Sequence, residues 1–159
     1  MSVAFTKEED SESAAAALPD RPISPHANLV TPEGMAQLDA SLAAARTAYA
    51  AAQAAGDVRT SREAMARATR DLRYYSARRA SAQLIQPAEH PQRVTFGAAV
   101  TVERDDGRTL TYRVVGEDEA DPARGSVSYI SPMARALLGK EVGDAATVGG
   151  RELEVAAIA

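Results

Sequence analysis

Two runs of apolar residues constrain the fold of this chain more than any other feature. Within residues 35–52 and again within residues 58–82, apolar side chains recur at alternating spacings of three and four. Such heptad spacing places one narrow apolar stripe on each of two helices. Gly56 and Asp57 interrupt the pattern between the runs, and helices joined by so short a turn pack antiparallel. The sequence therefore predicts a helical hairpin, in preference to two core helices of a globular bundle.

The ends of this hairpin carry their own signals. Thr31 offers a hydroxyl for an N-cap, Pro32 suits the first helical position, and Glu33 places a carboxylate near the positive end of the helix dipole. Pro87 cannot continue a helix, so it is predicted to end the second one. We therefore predict that a coiled-coil hairpin, called the arm below, spans residues 31–87.

After Pro87, apolar and polar residues alternate with the period of β-strands. A turn at residues 105–107 predicts a β-hairpin, residues 126–130 a further strand, and residues 148–151 a turn between two last strands. Ser131-Pro132 caps a short helix that Gly139 stops. The predicted fold class is α+β, with a helical hairpin followed by a small β-sheet domain over residues 88–159 that carries one short helix.

Charge is distributed unevenly along the chain. Residues 1–30 are acidic, contain three prolines and hold few large apolar side chains, which predicts a disordered tail. Residues 31–87 contain eight arginines and only five acidic residues, whereas the whole chain has a formal charge of −4. A globally basic nucleic-acid binder is therefore disfavoured, but a local basic patch on the arm is not.

Several classes of site and location are also disfavoured by composition. The chain has no cysteine, which rules out a disulfide framework and Cys-ligated zinc, and it has only two histidines. It shows no run of 18 apolar residues and no basic-then-apolar leader. The expected location is the cytoplasm, with no membrane contact and no metal site in the isolated protein.

Several stretches resemble the Gre family of transcript cleavage factors. Thr31-Pro32-Glu33-Gly34 resembles the start of the family's coiled-coil arm, and Gly56-Asp57 resembles its tip. The resemblance to the family's C-terminal domain is carried by residues 96–98, 106–107, 114–121 and 131–144. It covers roughly residues 29–159 and is stronger in the second half of the chain.

The resemblance implies an FKBP-like C-terminal domain that docks at the rim of the secondary channel of bacterial RNA polymerase, with the arm inserted into the channel. Family members bring acidic side chains at the arm tip to the nascent RNA 3′ end and share a second Mg²⁺ with the polymerase active site. The factor would be a monomeric accessory protein, with no cofactor of its own and no enzymatic activity apart from the polymerase.

The tip of the arm departs from the family pattern. Asp57 matches the first acid and Glu63 a later one, but Thr60 stands where the second acid is expected. Arg59 and Arg62 add positive charge that opposes cation binding. A purely structural interpretation is also open, in which Thr60 and Glu63 form a capping box and Asp57 is a turn residue.

Two further groups are candidate binding residues. The resemblance implies that polymerase docking involves Ser131, Pro132, Met133 and Arg135, although helix capping and one core methionine would also account for the first three. A basic arm face that meets RNA phosphates or acidic channel walls is predicted from Arg59, Arg62, Arg67, Arg70 and Arg73. The alternative for these arginines is an ordinary solvated helix face.

The favoured function is a Gre-family elongation regulator with weak or absent stimulation of transcript cleavage. The altered tip supports this, as does an arm that the resemblance makes about seven residues shorter in each helix, or ~10 Å at ~1.5 Å per residue. The alternatives are an active cleavage factor that rescues backtracked polymerase and a regulator of nucleoside diphosphate kinase, as among short-armed Gre relatives. A peptidyl-prolyl isomerase is disfavoured, since aromatic residues are few.

Overall fold

The computed structural model of this protein describes residues 18–159, which form two compact units. One unit comprises residues 18–26 and Leu38–Ser81, and the other comprises Ala27–Gln37 and Ala82–Ala159. Most of the predicted tail, residues 1–17, lies outside the described residues. Within the described part of the chain, none of the helices is both long and apolar enough to cross a membrane.

The first unit contains most of the predicted helical hairpin. Helix α1 spans Pro32–Ala54 and helix α2 spans Val58–Ser81. The Ser61 hydroxyl donates to the Ala52 carbonyl at 2.9 Å, while Arg79 pairs with Asp39 at 2.5 Å further from the turn. These two contacts require antiparallel packing. The buried stripe between the helices contains Leu38, Leu42, Ala45, Ala52 and Ala68. The hairpin prediction is confirmed.

The stripe on α2 differs from its prediction in two places. Val58, predicted to belong to it, is 65% exposed, because it stands at the first position of the helix beside the turn. Arg78 is only 2% exposed, although arginine is a residue type that is usually found at the surface. The apolar stripe of α2 therefore begins later than the heptad spacing indicates, and one of its arginines is part of the buried structure.

The second unit begins with a short parallel strand pair that the sequence did not reveal. Strand β1, Leu29–Val30, pairs with strand β2, Gln83–Leu84. The last residues of the predicted tail are therefore in a strand, and α2 ends at Ser81 instead of continuing to Pro87. The backbone groups of residues 28–30 hydrogen-bond to those of residues 83–85, which favours the extended conformation there.

The main sheet of this unit has five strands in the order β5-β4-β3-β7-β6. All neighbours are antiparallel except β4 and β5. The strands are β3 (Ala99–Arg104), β4 (Thr109–Val115), β5 (Ser126–Ser128), β6 (Ala145–Val148) and β7 (Arg151–Ile158). The predicted hairpins β3–β4 and β6–β7 and the predicted α+β class are confirmed.

A short α-helix, α3 (Pro132–Leu137), packs against this sheet. Ala134 and Leu137 of α3 belong to the same buried cluster as Val100, Val114 and Val155 of the strands. Alternate residues of β3 are buried because successive side chains of a strand point to opposite faces. The helix covers one face of the sheet and completes the core.

The first turn of α1 is fixed within the second unit by a buried hydroxyl. The Thr31 hydroxyl accepts a hydrogen bond from the Gly34 backbone N–H at 3.0 Å and donates to Glu119 Oε2 at 2.6 Å. Thr31 is fully buried. The predicted N-cap at Thr31 is thus confirmed, and the cap also binds the loop that follows β4.

Candidate functional site

The turn at the end of the arm is built around Asp57. Its Oδ1 accepts from the Arg59 backbone N–H at 3.1 Å, and its Oδ2 accepts from the Thr60 hydroxyl at 3.0 Å. The pKa of Asp57 lies below its ordinary value, chiefly because of the Thr60 hydroxyl and then because of the Arg59 N–H. Asp57 is therefore the N-cap of α2.

The capping-box interpretation of Thr60 and Glu63 is consequently wrong. Thr60 is the third residue of α2 instead of its cap, and its hydroxyl donates to Asp57. The Glu63 carboxylate lies 3.8 Å from Arg67, one helical turn away, and both side chains are exposed. An i,i+4 pair of this kind stabilises the helix slightly.

The two acidic residues that were predicted to act at the tip, Asp57 and Glu63, have different partners. Asp57 caps α2 before its first residue, whereas Glu63 lies within the helix and pairs with Arg67. Among the residues that the structure describes, no group of three or more acidic, histidine or cysteine side chains could hold a metal ion. One exposed carboxylate beside Arg59 and Arg62 does not fit a second Mg²⁺, which prefers several oxygen ligands.

The five arginines proposed as one basic face lie in different surroundings. Arg67 lines a groove of about 470 Å³ together with Asp71 and small residues of both helices. Three of the others, Arg62, Arg70 and Arg73, line a separate groove of about 450 Å³. Arg59 is exposed next to the turn. We call Arg62, Arg70 and Arg73 the arginine face; Arg67 is not part of it.

The arginine face is partly occupied by the chain that precedes β1. Leu18 and Asp20 line the same groove, and Asp20 pairs with Arg73 at 3.2 Å. Arg21 stacks on the Tyr74 ring at 3.8 Å from its centroid and lies 3.8 Å from Asp71. The sequence analysis assigned these residues to a free tail and so missed this contact.

Arg21 is the best-anchored residue of that segment. The pKa of its guanidinium lies above the ordinary value, first because of a hydrogen bond with the Tyr75 side chain, which outweighs the opposing effect of burial. The Tyr74 and Tyr75 rings are themselves packed edge to face, with centroids 5.2 Å apart. The sequence signal of a binding site for this guanidinium was the pair of adjacent tyrosines, Tyr74 and Tyr75, with Asp71 about one helical turn before them.

The predicted docking residues surround the start of α3. The Ser131 hydroxyl accepts from the Ala134 backbone N–H at 3.2 Å, and Pro132 is the first helical residue, so the capping interpretation is confirmed. Met133 is half-buried in a groove of about 230 Å³, whereas Arg135 is exposed. The sequence analysis missed the other walls of this groove, among them Arg104, Leu110, Tyr112, Val148 and Arg151.

Comparison with known proteins now identifies the family. The family described as "Transcription elongation factor, GreA/GreB, C-term" matches residues 88–159. Transcription elongation factor GreA of Methylococcus capsulatus is 38% identical over 124 residues, which cover 70% of this chain and 78% of that protein. This chain therefore belongs to the Gre family of transcription elongation factors.

Other relatives match over a shorter range. GreA of Ralstonia nicotianae is 49% identical over 86 residues, which are 50% of this chain and 54% of that protein. The chain thus spans about half the length of the first curated relatives that it matches. Among solved structures, GreA factor homolog 1 of Thermus thermophilus aligns with 84% of this chain and 99% of its own, at 23% identity and a TM-score of 0.40.

Proposed function

We propose that this chain regulates transcription by binding bacterial RNA polymerase at the rim of the secondary channel. Residues 88–159 would dock on the polymerase while the arm enters the channel, and the chain would act as an accessory factor without enzymatic activity of its own. Stimulation of transcript cleavage would be weak or absent. The observation that carries this last point is the single carboxylate of Asp57, which caps α2 at the tip.

The charge at the tip supports a noncatalytic role. A factor that recruits Mg²⁺ needs negative charge and several oxygen ligands at its end. Here Thr60 supplies only a neutral hydroxyl, which donates to Asp57, and Glu63 pairs with Arg67. The tip residues present therefore do not assemble the ligand set that cleavage would require, and no step through a metal is assigned to them.

The length of the arm supports the same conclusion. Helix α1 has 23 residues and α2 has 24. At ~1.5 Å per residue each is ~35 Å long, and seven residues fewer than the family pattern correspond to ~10 Å of lost reach. An error of that size exceeds by far the few tenths of an ångström that metal ligation tolerates.

The groove around Met133 supports a docking role for the second unit. It combines apolar walls from Leu110, Tyr112 and Val148 with the cationic side chains of Arg104 and Arg151. Apolar centres with arginine at the edge are typical of protein interfaces. Such a surface suits an apolar segment of a partner that also carries acidic residues.

Docking is tested by comigration of the purified protein with core RNA polymerase. We expect Met133→Lys to weaken binding at least tenfold, because the charge would enter the apolar groove without a partner. The matched control is Val142→Lys. Val142 belongs to the same unit, does not line that groove, and is 60% exposed. Equal binding by both variants, or no binding by the unaltered protein, would contradict the docking proposal.

Cleavage is tested separately on stalled, backtracked polymerase complexes. We expect little trimming of the RNA 3′ end by the unaltered protein, and little by Thr60→Glu, because the added acid leaves the arm ~10 Å short of the family pattern. Asp57→Asn serves as a control because asparagine preserves the helix cap while removing the charge. Robust trimming by the unaltered protein that disappears in Asp57→Asn would establish an active cleavage factor instead.

A further inference from the structure

We propose that residues 18–21 form a proline-stiffened strap, which runs along α2 and holds the middle of this helix, residues 65–75, in its folded conformation. We call residues 18–21 the strap. The stability of the arm then depends on a segment outside the two helices. The proposal concerns only contacts within the first unit and needs no partner, so it stands or fails independently of the proposed function.

Helix α2 packs on the strap along a side that α1 does not cover. Of the 24 residues of α2, only Ala68 and Arg78 are buried. Within the described part of the chain, the groove of about 450 Å³ on α2 has walls from this helix and from Leu18 and Asp20. Met65 is half-buried in that groove. The strap therefore gives α2 a second packing surface, opposite in origin to the stripe that α1 provides.

Two residues of the strap make the anchoring contacts. Leu18 lines the groove together with Met65. The Arg21 guanidinium lies 3.8 Å from the centroid of the Tyr74 ring. The same guanidinium is 3.8 Å from the carboxylate of Asp71. An apolar contact and a stacked cation thus bind the strap to two successive parts of α2.

Arg21 contributes more to this attachment than the ion pair beside it. The side chains of Asp20 and Arg73 are 64% and 68% exposed, and an ion pair that is so open to water contributes little. The Arg21 side chain is 37% exposed, and a cation–π contact strengthens as the cation loses water. Arg21 is therefore the residue whose replacement tests the strap.

The prolines match the strap to the helix. Leu18 precedes Pro19 and Arg21 precedes Pro22, and a residue before proline is restricted to extended conformations. An extended chain of the polyproline type has three residues per turn and rises ~3.1 Å per residue, so these two anchors share one side and lie ~9 Å apart. Residues 69–75 of α2, which begin beside Leu18 and end beside Arg21, rise by the same ~9 Å.

The strap is tested by amide hydrogen exchange of the full chain, followed by mass spectrometry. We expect Arg21→Ala to raise the exchange rates of residues 65–75 about fivefold, because the lost cation–π contact lowers the free energy of local opening. The matched control is Arg46→Ala, which removes an exposed arginine of α1 in the same unit and should change these rates less than about twofold. Strand β3 of the second unit should not change in either variant.

Three results of this experiment would overturn the proposal. The first is an exchange rate over residues 65–75 that Arg21→Ala leaves unchanged. The second is an equal increase in Arg21→Ala and in Arg46→Ala. The third is an increase of the same size in β3, because it would reflect a general loss of stability instead of a local one.

Two further variants separate the anchor from the stiffness of the strap. Tyr74→Leu removes the ring, so adding Arg21→Ala to it should raise exchange less than about twofold. Replacing both Pro19 and Pro22 by alanine keeps the anchors and should raise exchange about threefold, because the detached strap gains conformational freedom. A full effect of Arg21→Ala without the Tyr74 ring, or unchanged exchange in the double proline variant, would overturn the proposal as well.

Discussion

Replacing Thr31 by valine should reveal how much the buried hydroxyl stabilises the start of α1. Valine has nearly the shape of threonine, so the substitution leaves no cavity but deletes one acceptor and one donor. The lost contacts are the 3.0 Å hydrogen bond from the Gly34 backbone N–H and the 2.6 Å hydrogen bond to Glu119 Oε2. The Thr31 side chain that makes both hydrogen bonds is inaccessible to solvent.

The expected magnitude follows from these two contacts. Loss of an N-cap side chain costs about 1 kcal/mol. Loss of a hydrogen bond to a charged group costs about 1.5–3 kcal/mol, because Glu119 loses the hydroxyl donor to its Oε2. We therefore expect Thr31→Val to lower the free energy of unfolding by about 3 kcal/mol. Thr31→Ser keeps the hydroxyl and should cost only about 1 kcal/mol for the deleted methyl group.

Urea unfolding followed by circular dichroism measures these differences. With a slope of about 2 kcal/mol per molar urea, Thr31→Val should lower the midpoint by about 1.5 M. A double-mutant cycle with Glu119→Ala isolates the hydroxyl–carboxylate pair and should give a coupling energy of at least about 1 kcal/mol. If valine and serine prove equally destabilising, or if the coupling energy is zero, the assigned role of the Thr31 hydroxyl is refuted.

Three further predictions concern packing and pH. Gly116→Ala should cost about 2–3 kcal/mol of unfolding free energy in urea, because its Cβ would overlap a neighbouring backbone carbonyl oxygen. Gly56→Ala, which meets no atom within 4 Å, should be neutral in the same assay. Leu137→Ala should lose about 2–5 kcal/mol there, since Leu137 is fully buried in the sheet core. The lowered pKa of Asp57 means that its cap is intact above its ordinary value of 3.8 and is lost only as pH falls through a lower folded-state value. The Arg59 amide resonance should titrate with a midpoint below 3.8, and a midpoint at or above that value would contradict the cap.

Local sequence patterns predicted most of the fold, whereas pairings between distant residues were not predictable. The heptad spacing gave the hairpin, and the Thr31 and Ser131 caps depend only on residues three positions away. Strand β1 pairs Leu29 with Gln83, residues more than 50 positions apart, and both strands have only two residues. So short a strand has no periodicity of its own, and the end of α2 was therefore placed too late.

The candidate site was predictable in its residues but less so in their arrangement. Thr60 and Asp57 both have cap-forming side chains within the same turn, and spacing alone could not decide which of them begins α2. The helical angle of ~100° per residue would have separated Arg67 from Arg62 and Arg73. The contact of Arg21 with Tyr74 joins residues 53 positions apart, and no local pattern predicts it.

The count of arginines on α2 overstates the positive charge that the arm offers to a partner. Arg78 is buried, and four others lie beside carboxylates: Arg67 with Glu63, Arg70 with Asp71, Arg73 with Asp20 and Arg79 with Asp39. Three of these carboxylates, Glu63, Asp71 and Asp39, belong to the hairpin itself, and Asp20 belongs to the segment before β1. Because each of these ion pairs offsets one positive charge, the net positive charge on this side of the arm is smaller than the number of arginines indicates.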